Sequence, residues 1–123
     1  MTLESGDRIF VSIEPTRMTL QIIEGCYAEA SDDDERGDCD FYALDRRQTS
    51  RFMWLLRQAG NGAILSKGDN VILKDSYGKE LLSVGSAVGR FFIYGRDNTC
   101  GLEMHEAYAL LCTISTRIWR MFE

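Results

Sequence analysis

The apolar residues of this chain follow two different spacings, and this limits the folds open to it. Around residues 8–24 apolar side chains alternate with polar ones, as in half-buried strands, and between 62 and 95 short β-rich runs are separated by glycine-containing turns. Within 45–59 and 103–121 they recur every three or four residues, as on one face of a helix. Two helices among several short strands predict an α+β fold.

Residues 8–24 are predicted to form an antiparallel hairpin that turns at Pro15. Proline cannot donate a hydrogen bond to a neighbouring strand, so the first strand ends there. The second strand ends before Gly25. The apolar positions that alternate along the two strands are Ile9, Val11 and Ile13, then Met18, Leu20 and Ile22.

The segment 45–59 is predicted to be the first helix. Asp45 can accept hydrogen bonds from the free backbone N–H groups in the first turn of the helix. Gln48, three residues later, has the spacing of a capping box. The residues 60–62, Gly-Asn-Gly, tolerate the backbone conformations that end helices. The face expected to be buried carries Phe52, Leu55, Leu56 and Ala59.

Four further strands are predicted at about 62–66, 70–75, 79–84 and 90–95, because short β-rich runs alternate there with glycine-containing turns. A second helix is predicted at 103–121, with an apolar stripe of Met104, Ala107, Tyr108, Leu111, Ile114, Ile118 and Phe122. The whole chain, 1–123, is therefore expected to be one α+β domain in the order ββ-α-ββββ-α, with about six strands in a mostly antiparallel sheet packed with two helices.

The negative charge of the chain is concentrated in the acidic segment 29–40, EASDDDERGDCD. This segment holds seven carboxylates against one arginine and contributes −6, whereas the whole chain carries −5. The remaining residues therefore sum to +1, which predicts no basic groove and disfavours broad attraction to nucleic acid. A cluster of this kind can be a solvated connector or can steer a basic protein partner.

Calcium binding by the acidic segment was tested against the EF-hand pattern. A loop that starts at Asp32 places Gly37 correctly at the sixth position. It also places Arg36 at the fifth position and Ala43 at the twelfth, where ligands are required. We therefore predict no dedicated metal site and no cofactor.

Nucleophilic catalysis would have to use the only histidine, His105, with Cys100 or Cys112. No signature surrounds these residues, and the four cysteines are far apart without a CxxC pair, which is typical of reduced thiols in the cytosol and not of a zinc site. The first residues show no basic run before an apolar stretch, and eighteen apolar residues never follow one another, so neither a signal peptide nor a membrane span is expected. A non-enzymatic cytoplasmic protein is expected, and a small cysteine–histidine enzyme is an alternative.

Trp54 projects away from the buried stripe of the first helix and is surrounded by polar residues. The acidic segment could cover it by folding back onto the arginines. If exposed, tryptophan and arginine are the residue types that dominate interface energetics. A third alternative is single-stranded nucleic acid, stacked on Trp54 with phosphates on arginines. The residues predicted to contact a partner are Asp32, Asp33, Asp34, Glu35, Asp38, Asp40, Arg47, Arg51, Trp54 and Arg57.

In size and charge alone, the chain resembles bacterial immunity proteins and other proteinaceous inhibitors, which block a basic toxin by complementary charge and shape. The resemblance implies a protein-binding module that neutralises a basic protein partner. Binding of nucleic acid as an accessory factor is the alternative from another class.

Overall fold

The computed structural model describes residues 1–23 and 40–121. They form one α+β domain in the order β-β-β-α-β-β-β-β-α, which confirms the predicted fold class. The strands are β1 (Arg8–Ile13), β2 (Met18–Ile23), β3 (Asp40–Leu44), β4 (Val71–Lys74), β5 (Glu80–Ala87), β6 (Arg90–Tyr94) and β7 (Thr99–Glu103). The helices are α1 (Arg46–Gly60) and α2 (Met104–Arg117), with short 3-10 helices at Lys67–Asp69 and Ile118–Met121.

The described strands form two antiparallel sheets, where the sequence predicted one sheet of about six strands. The first sheet has the order β1-β2-β3 and contains the predicted hairpin. The second has the order β4-β5-β6-β7. The apolar alternation of the hairpin places one face of the first sheet in the core, since Ile9 and Ile13 of β1 and the three alternating positions Met18, Leu20 and Ile22 of β2 are buried.

The predicted strand at 62–66 is wrong. This segment is irregular and is bound to β5 mainly through one residue, Ser86. The Ser86 hydroxyl accepts a hydrogen bond of 2.8 Å from the Leu65 N–H and donates one of 2.8 Å to the Ala63 carbonyl. Because a side chain satisfies these backbone groups, the segment does not need a strand partner.

Two strands were not predicted. β3 directly follows the acidic segment, and its burial alternates along DFYAL. β7 contains a glycine, Gly101, which is uncommon in strand interiors. Both strands are held by pairing with a neighbour, β3 with β2 and β7 with β6. In such short runs, the β-propensity of the residues determines strand formation less than pairing with a neighbouring strand does.

Helix α1 begins and packs as predicted. The Asp45 carboxylate accepts a hydrogen bond of 2.8 Å from the Gln48 N–H, and the Gln48 side chain accepts one of 2.9 Å from the Asp45 N–H. These two bonds form the predicted capping box. The predicted apolar face is buried, namely Phe52, Leu55, Leu56 and Ala59.

Helix α2 occupies the predicted segment, but its buried face is narrower than predicted. The helix buries Ala107, Leu110, Leu111 and Ile114, which follow the spacing i, i+3, i+4, i+7. Tyr108, which was assigned to the apolar stripe, is 68% exposed. That assignment was wrong because Tyr108 lies beyond the edge of the stripe that the sheets cover. Phe122 lies outside the described residues.

The two helices pack against each other and against the strands, and one apolar core joins all the layers. Helix α1 contacts β3 and β4, and α2 contacts β1, β6 and β7, so each helix touches both sheets. Residues of α1, α2 and both sheets are fully buried in this core, including Phe52 of α1 and Phe91 of β6, whose ring centroids lie 6.5 Å apart. The outer side of the helix pair is left as a surface.

Candidate functional site

The candidate site is the outer face of α1, and Trp54 is its most prominent residue. Trp54 is 54% exposed, while the neighbouring Leu55 and Leu56 are buried in the core. The helical spacing predicted this orientation. An exposed tryptophan on a regular helix is held by a rigid backbone, so little conformational entropy is lost when a partner covers it.

The arginines near Trp54 are placed by the helical repeat. Arg47, Arg51 and Trp54 are separated by four and three residues, so they form one stripe along α1, and Arg57 extends it by three more. All three arginines are exposed. Across residues 1–23 and 40–121, none of the three takes part in an ion pair. Their guanidinium groups are therefore accessible to the charges of a binding partner.

A shallow hollow of about 300 Å³ lies beside the Trp54 ring. It is lined by Ser50, Met53, Trp54 and Arg57 of α1 and by Ile118, which follows α2. Met53 and Ile118 are partly buried and pack against the core. The hollow can accept an apolar side chain in contact with the indole, next to a positive charge.

A second hollow, of about 400 Å³, lies between α1 and α2. Leu56 and Leu111 form its apolar floor, Tyr108 and Cys112 line it from α2, and Arg57 lines both hollows. Residues near the end of α1 and the middle of α2 meet here, whereas Ile118, beyond the end of α2, meets the middle of α1. The helices therefore run antiparallel, and the two hollows follow one another along them and share Arg57; together we call them the helix groove.

No pattern in the sequence predicts the helix groove. Tyr108 was placed in the core, and Ile118 was read only as a member of an apolar stripe. A second set with helical spacing, Ala107, Leu110, Leu111 and Ile114, leaves Tyr108 outside and is the set that the structure buries. Contact between Ile118 and the α1 residues depends on tertiary packing, and no local pattern indicates it.

The helix pair is strongly cationic in an acidic protein. α1 and α2 together contain five arginines against one glutamate, Glu106. Glu106 is buried, and its carboxylate accepts hydrogen bonds from the Glu4 and Glu103 N–H groups. The net charge of the chain does not show this arrangement, because a sum averages charges that the fold separates. The exposed field of this face is positive.

Of the acidic residues predicted to contact a partner, only Asp40 is within the described residues. Asp32, Asp33, Asp34, Glu35 and Asp38 lie outside the described residues. Asp40 is on β3, only 6% exposed, and its carboxylate accepts hydrogen bonds from backbone N–H groups of the β6–β7 turn. The structure therefore brings Arg47, Arg51, Trp54 and Arg57 together and directs Asp40 inward.

The cysteine–histidine arrangement lacks the geometry of a nucleophile and its base. Cys100 is fully buried on β7. Cys112 and His105 both lie on α2 but are seven residues apart, which separates them by about 10 Å along the axis. A hydrogen bond between a nucleophile and its base requires about 3 Å. The His105 Nε2 instead lies 3.6 Å from a carboxylate oxygen of Glu4.

No group of three or more histidine, cysteine, aspartate or glutamate side chains in 1–23 and 40–121 is placed to hold a metal ion. None of the helices there has the length and apolar character needed to cross a membrane.

Comparison with known proteins gives no relative for this chain. No protein-family model matches the sequence, and no curated protein or solved structure matches it.

Proposed function

We propose that this protein is a non-enzymatic protein-binding module of the inhibitor or immunity type, which neutralises a protein partner in the cytoplasm. The observation that carries the proposal is Trp54, 54% exposed and flanked by arginines that pair with no described acid. Tryptophan and arginine are the residues most enriched among binding hot spots, because they combine large contact area with directional charge.

The charges of α1 and of the acidic segment indicate which charges the partner carries. The cationic face of α1 complements an acidic patch on the partner, since like charges placed against each other cost several kcal/mol. The acidic segment, with seven carboxylates, complements a basic region. A basic toxin or effector would therefore be held by the acidic segment at its basic region and by α1 at a neighbouring acidic patch. Inhibition requires only that the bound module blocks the partner's working surface.

A second candidate function is that of an accessory factor for nucleic acid. The cationic helix pair and the exposed Trp54 favour it, because single strands bind through stacked bases and phosphate–arginine contacts. The two candidates differ in salt dependence. Phosphate contacts release counterions, so affinity for nucleic acid falls steeply and linearly on a logarithmic salt scale. The third candidate, a cysteine–histidine enzyme, has no support from the separation of Cys112 and His105.

The proposal can be tested by affinity capture from the source cells, with mass spectrometry of the bound proteins. The protein is immobilised as wild type, as Trp54→Ala and as a control, Tyr77→Ala, in which an aromatic residue that is 95% exposed is removed from the turn before β5. We expect one protein to be retained by wild type and Tyr77→Ala and lost from Trp54→Ala. Nuclease treatment should not release it.

Two results would contradict the proposal. Equal retention by Trp54→Ala would remove α1 as the contact surface. Recovery of nucleic acid, with loss of the captured material after nuclease treatment, would favour the accessory-factor function instead.

A further inference from the structure

We infer that the helix groove receives a single acidic amphipathic helix of the protein partner. This inference rests on the proposed function and specifies which part of the partner is recognised. The groove consists of the Trp54 hollow and the Tyr108 hollow, which meet at Arg57.

The spacing of the two hollows fits one turn of a bound helix. On α1, the first hollow is lined by residues from Ser50 to Arg57 and the second by residues from Leu56 to Gly60. Their centres are thus displaced by about four residues, or about 6 Å along the axis. Side chains at positions i and i+4 of a helix are separated by the same distance and point in the same direction. Two apolar residues in that register would fill both hollows.

The surface of the groove matches an apolar stripe. Its floor is formed by Leu56 and Leu111, which are 2% and 9% exposed, and its rims carry Trp54 and Tyr108, which are 54% and 68% exposed. The exposed surfaces of the Trp54 and Tyr108 rings would be buried when a partner side chain enters the groove, and this burial favours binding. The groove is therefore suited to a ligand with apolar residues on one face only.

The charges around the groove define the rest of the bound helix. Arg57 lines both hollows, and Arg51 and Arg47 continue along α1. The only acid of the two helices, Glu106, is buried and bound to backbone. Glutamate or aspartate residues flanking the apolar stripe would therefore meet arginine and no acid of these helices.

A helix fits this groove better than an extended segment. Both walls are α-helices, whose backbone N–H and C=O groups are already hydrogen-bonded within the helix. An extended peptide would find no strand edge there and would bury its own backbone polar groups without partners. A helical ligand satisfies those groups internally and presents only side chains.

The test uses a synthetic peptide of about sixteen residues, long enough to form a helix, built from alanine and glutamate with two leucines four positions apart. A first control peptide has the same composition with the leucines two positions apart, and a second replaces glutamate by lysine. Titration calorimetry against the full chain should show binding of the first peptide alone. Trp54→Ala and Tyr108→Ala should each weaken it by about tenfold or more, and Tyr77→Ala should not.

Cys112 provides a second readout, since its exposed side chain lines the groove while Cys100 is buried. The acidic peptide should slow alkylation of Cys112, followed by mass spectrometry, and leave Cys100 unchanged. The proposal is overturned if the control peptides bind equally well, or if the acidic peptide binds without protecting Cys112.

Another occupant would be recognised by the same assay. If peptide binding appears only after Asp32, Asp33, Asp34 and Glu35 are replaced by their amides, the chain's own acidic segment fills the groove and the inference is wrong. Loss of partner capture in Trp54→Ala but not in Tyr108→Ala would overturn the groove inference while the proposed function stands. Capture that is unaffected by Trp54→Ala would instead contradict the proposed function.

Discussion

The Oδ2 atom of Asp40 lies 2.8 Å from the backbone nitrogen of Asn98, whose N–H donates a hydrogen bond to it. The same oxygen accepts a bond of 3.0 Å from the Asp97 N–H, so the first residue of β3 holds the turn between β6 and β7. Close approach is possible because residue 95 is glycine. A Cβ atom there would contact the Asp40 carboxylate and lie 2.7 Å from Ile22 Cδ1. The hydrogen bonds of Asp40 therefore link the three-stranded sheet to the four-stranded sheet.

Replacement of Asp40 by alanine should destabilise the protein. The change removes two charge-assisted hydrogen bonds and leaves at least one buried backbone N–H group without an acceptor, at a cost of about 1–3 kcal/mol. Urea denaturation measures the free energy of unfolding. Asp97→Ala is a matched control, because residue 97 is exposed and keeps the N–H that Asp40 binds. Equal stability of the Asp40 variant and wild type would show that the hydrogen bonds of Asp40 do not stabilise the fold.

Tyr42 should make stability depend on pH in the alkaline range. Burial raises the pKa of Tyr42 from 10.0 to about 12, opposed by the hydrogen bond from the Arg96 N–H and assisted by the charge of Asp40. The folded state favours the neutral phenol. The contribution of Tyr42 to the free energy of unfolding is therefore complete below pH 10 and is lost as pH rises towards 12. The stability difference between wild type and Tyr42→Phe should shrink across that window.

The Tyr42 prediction can be checked by urea denaturation at a series of pH values together with ultraviolet absorbance titration. Subtracting the Tyr42→Phe titration curve from that of wild type isolates the phenol of interest. Tyr77→Phe serves as the control for general alkaline unfolding, because Tyr77 is 95% exposed. A difference curve with its midpoint near pH 10 would contradict the burial argument.

Leucine to alanine substitutions in the helices should test the core. Leu55 is fully buried and Leu111 is 9% exposed, so each change removes apolar contact and leaves a cavity. The expected loss is about 2–5 kcal/mol, with Leu111 at the lower end because a partly open site can admit water. Thermal and urea unfolding measure it. Unchanged midpoints in both variants would disprove the packing of the two helices.

The acidic segment and Trp54 should affect binding kinetics differently once a partner is identified. Replacing Asp32, Asp33 and Asp34 by asparagine should slow association and reduce its salt dependence, because these charges act at a distance. Replacing Trp54 by alanine should speed dissociation and cost about 2 kcal/mol or more. Surface plasmon resonance at several salt concentrations separates the two effects.

Both kinds of variant should retain the native circular dichroism spectrum, because Trp54 is exposed and the aspartates are polar. Slower association of Trp54→Ala with unchanged dissociation would contradict its role as an anchor. An unfolded Trp54 variant would show that the ring supports the core.

The sequence determined the parts of this protein that depend on local spacing. The capping box of Asp45 and Gln48, the buried face of α1 and the direction of Trp54 away from that face follow from residue spacing within one segment. The first hairpin follows from alternation and from Pro15 in its turn. In each case the residues that specify the element lie within a few positions of one another, so a local pattern contains the information.

Tertiary structure alone decided the division into two sheets, the strand β3, the exposure of Tyr108 and the helix groove. β3 is stabilised by pairing with β2 and by the bonds of Asp40 to Asp97 and Asn98, more than fifty residues away. The helix groove likewise forms only because α1 and α2 lie side by side. Pairing, burial and electrostatic potential depend on distances in space between residues far apart in the chain, and no local spacing specifies those distances.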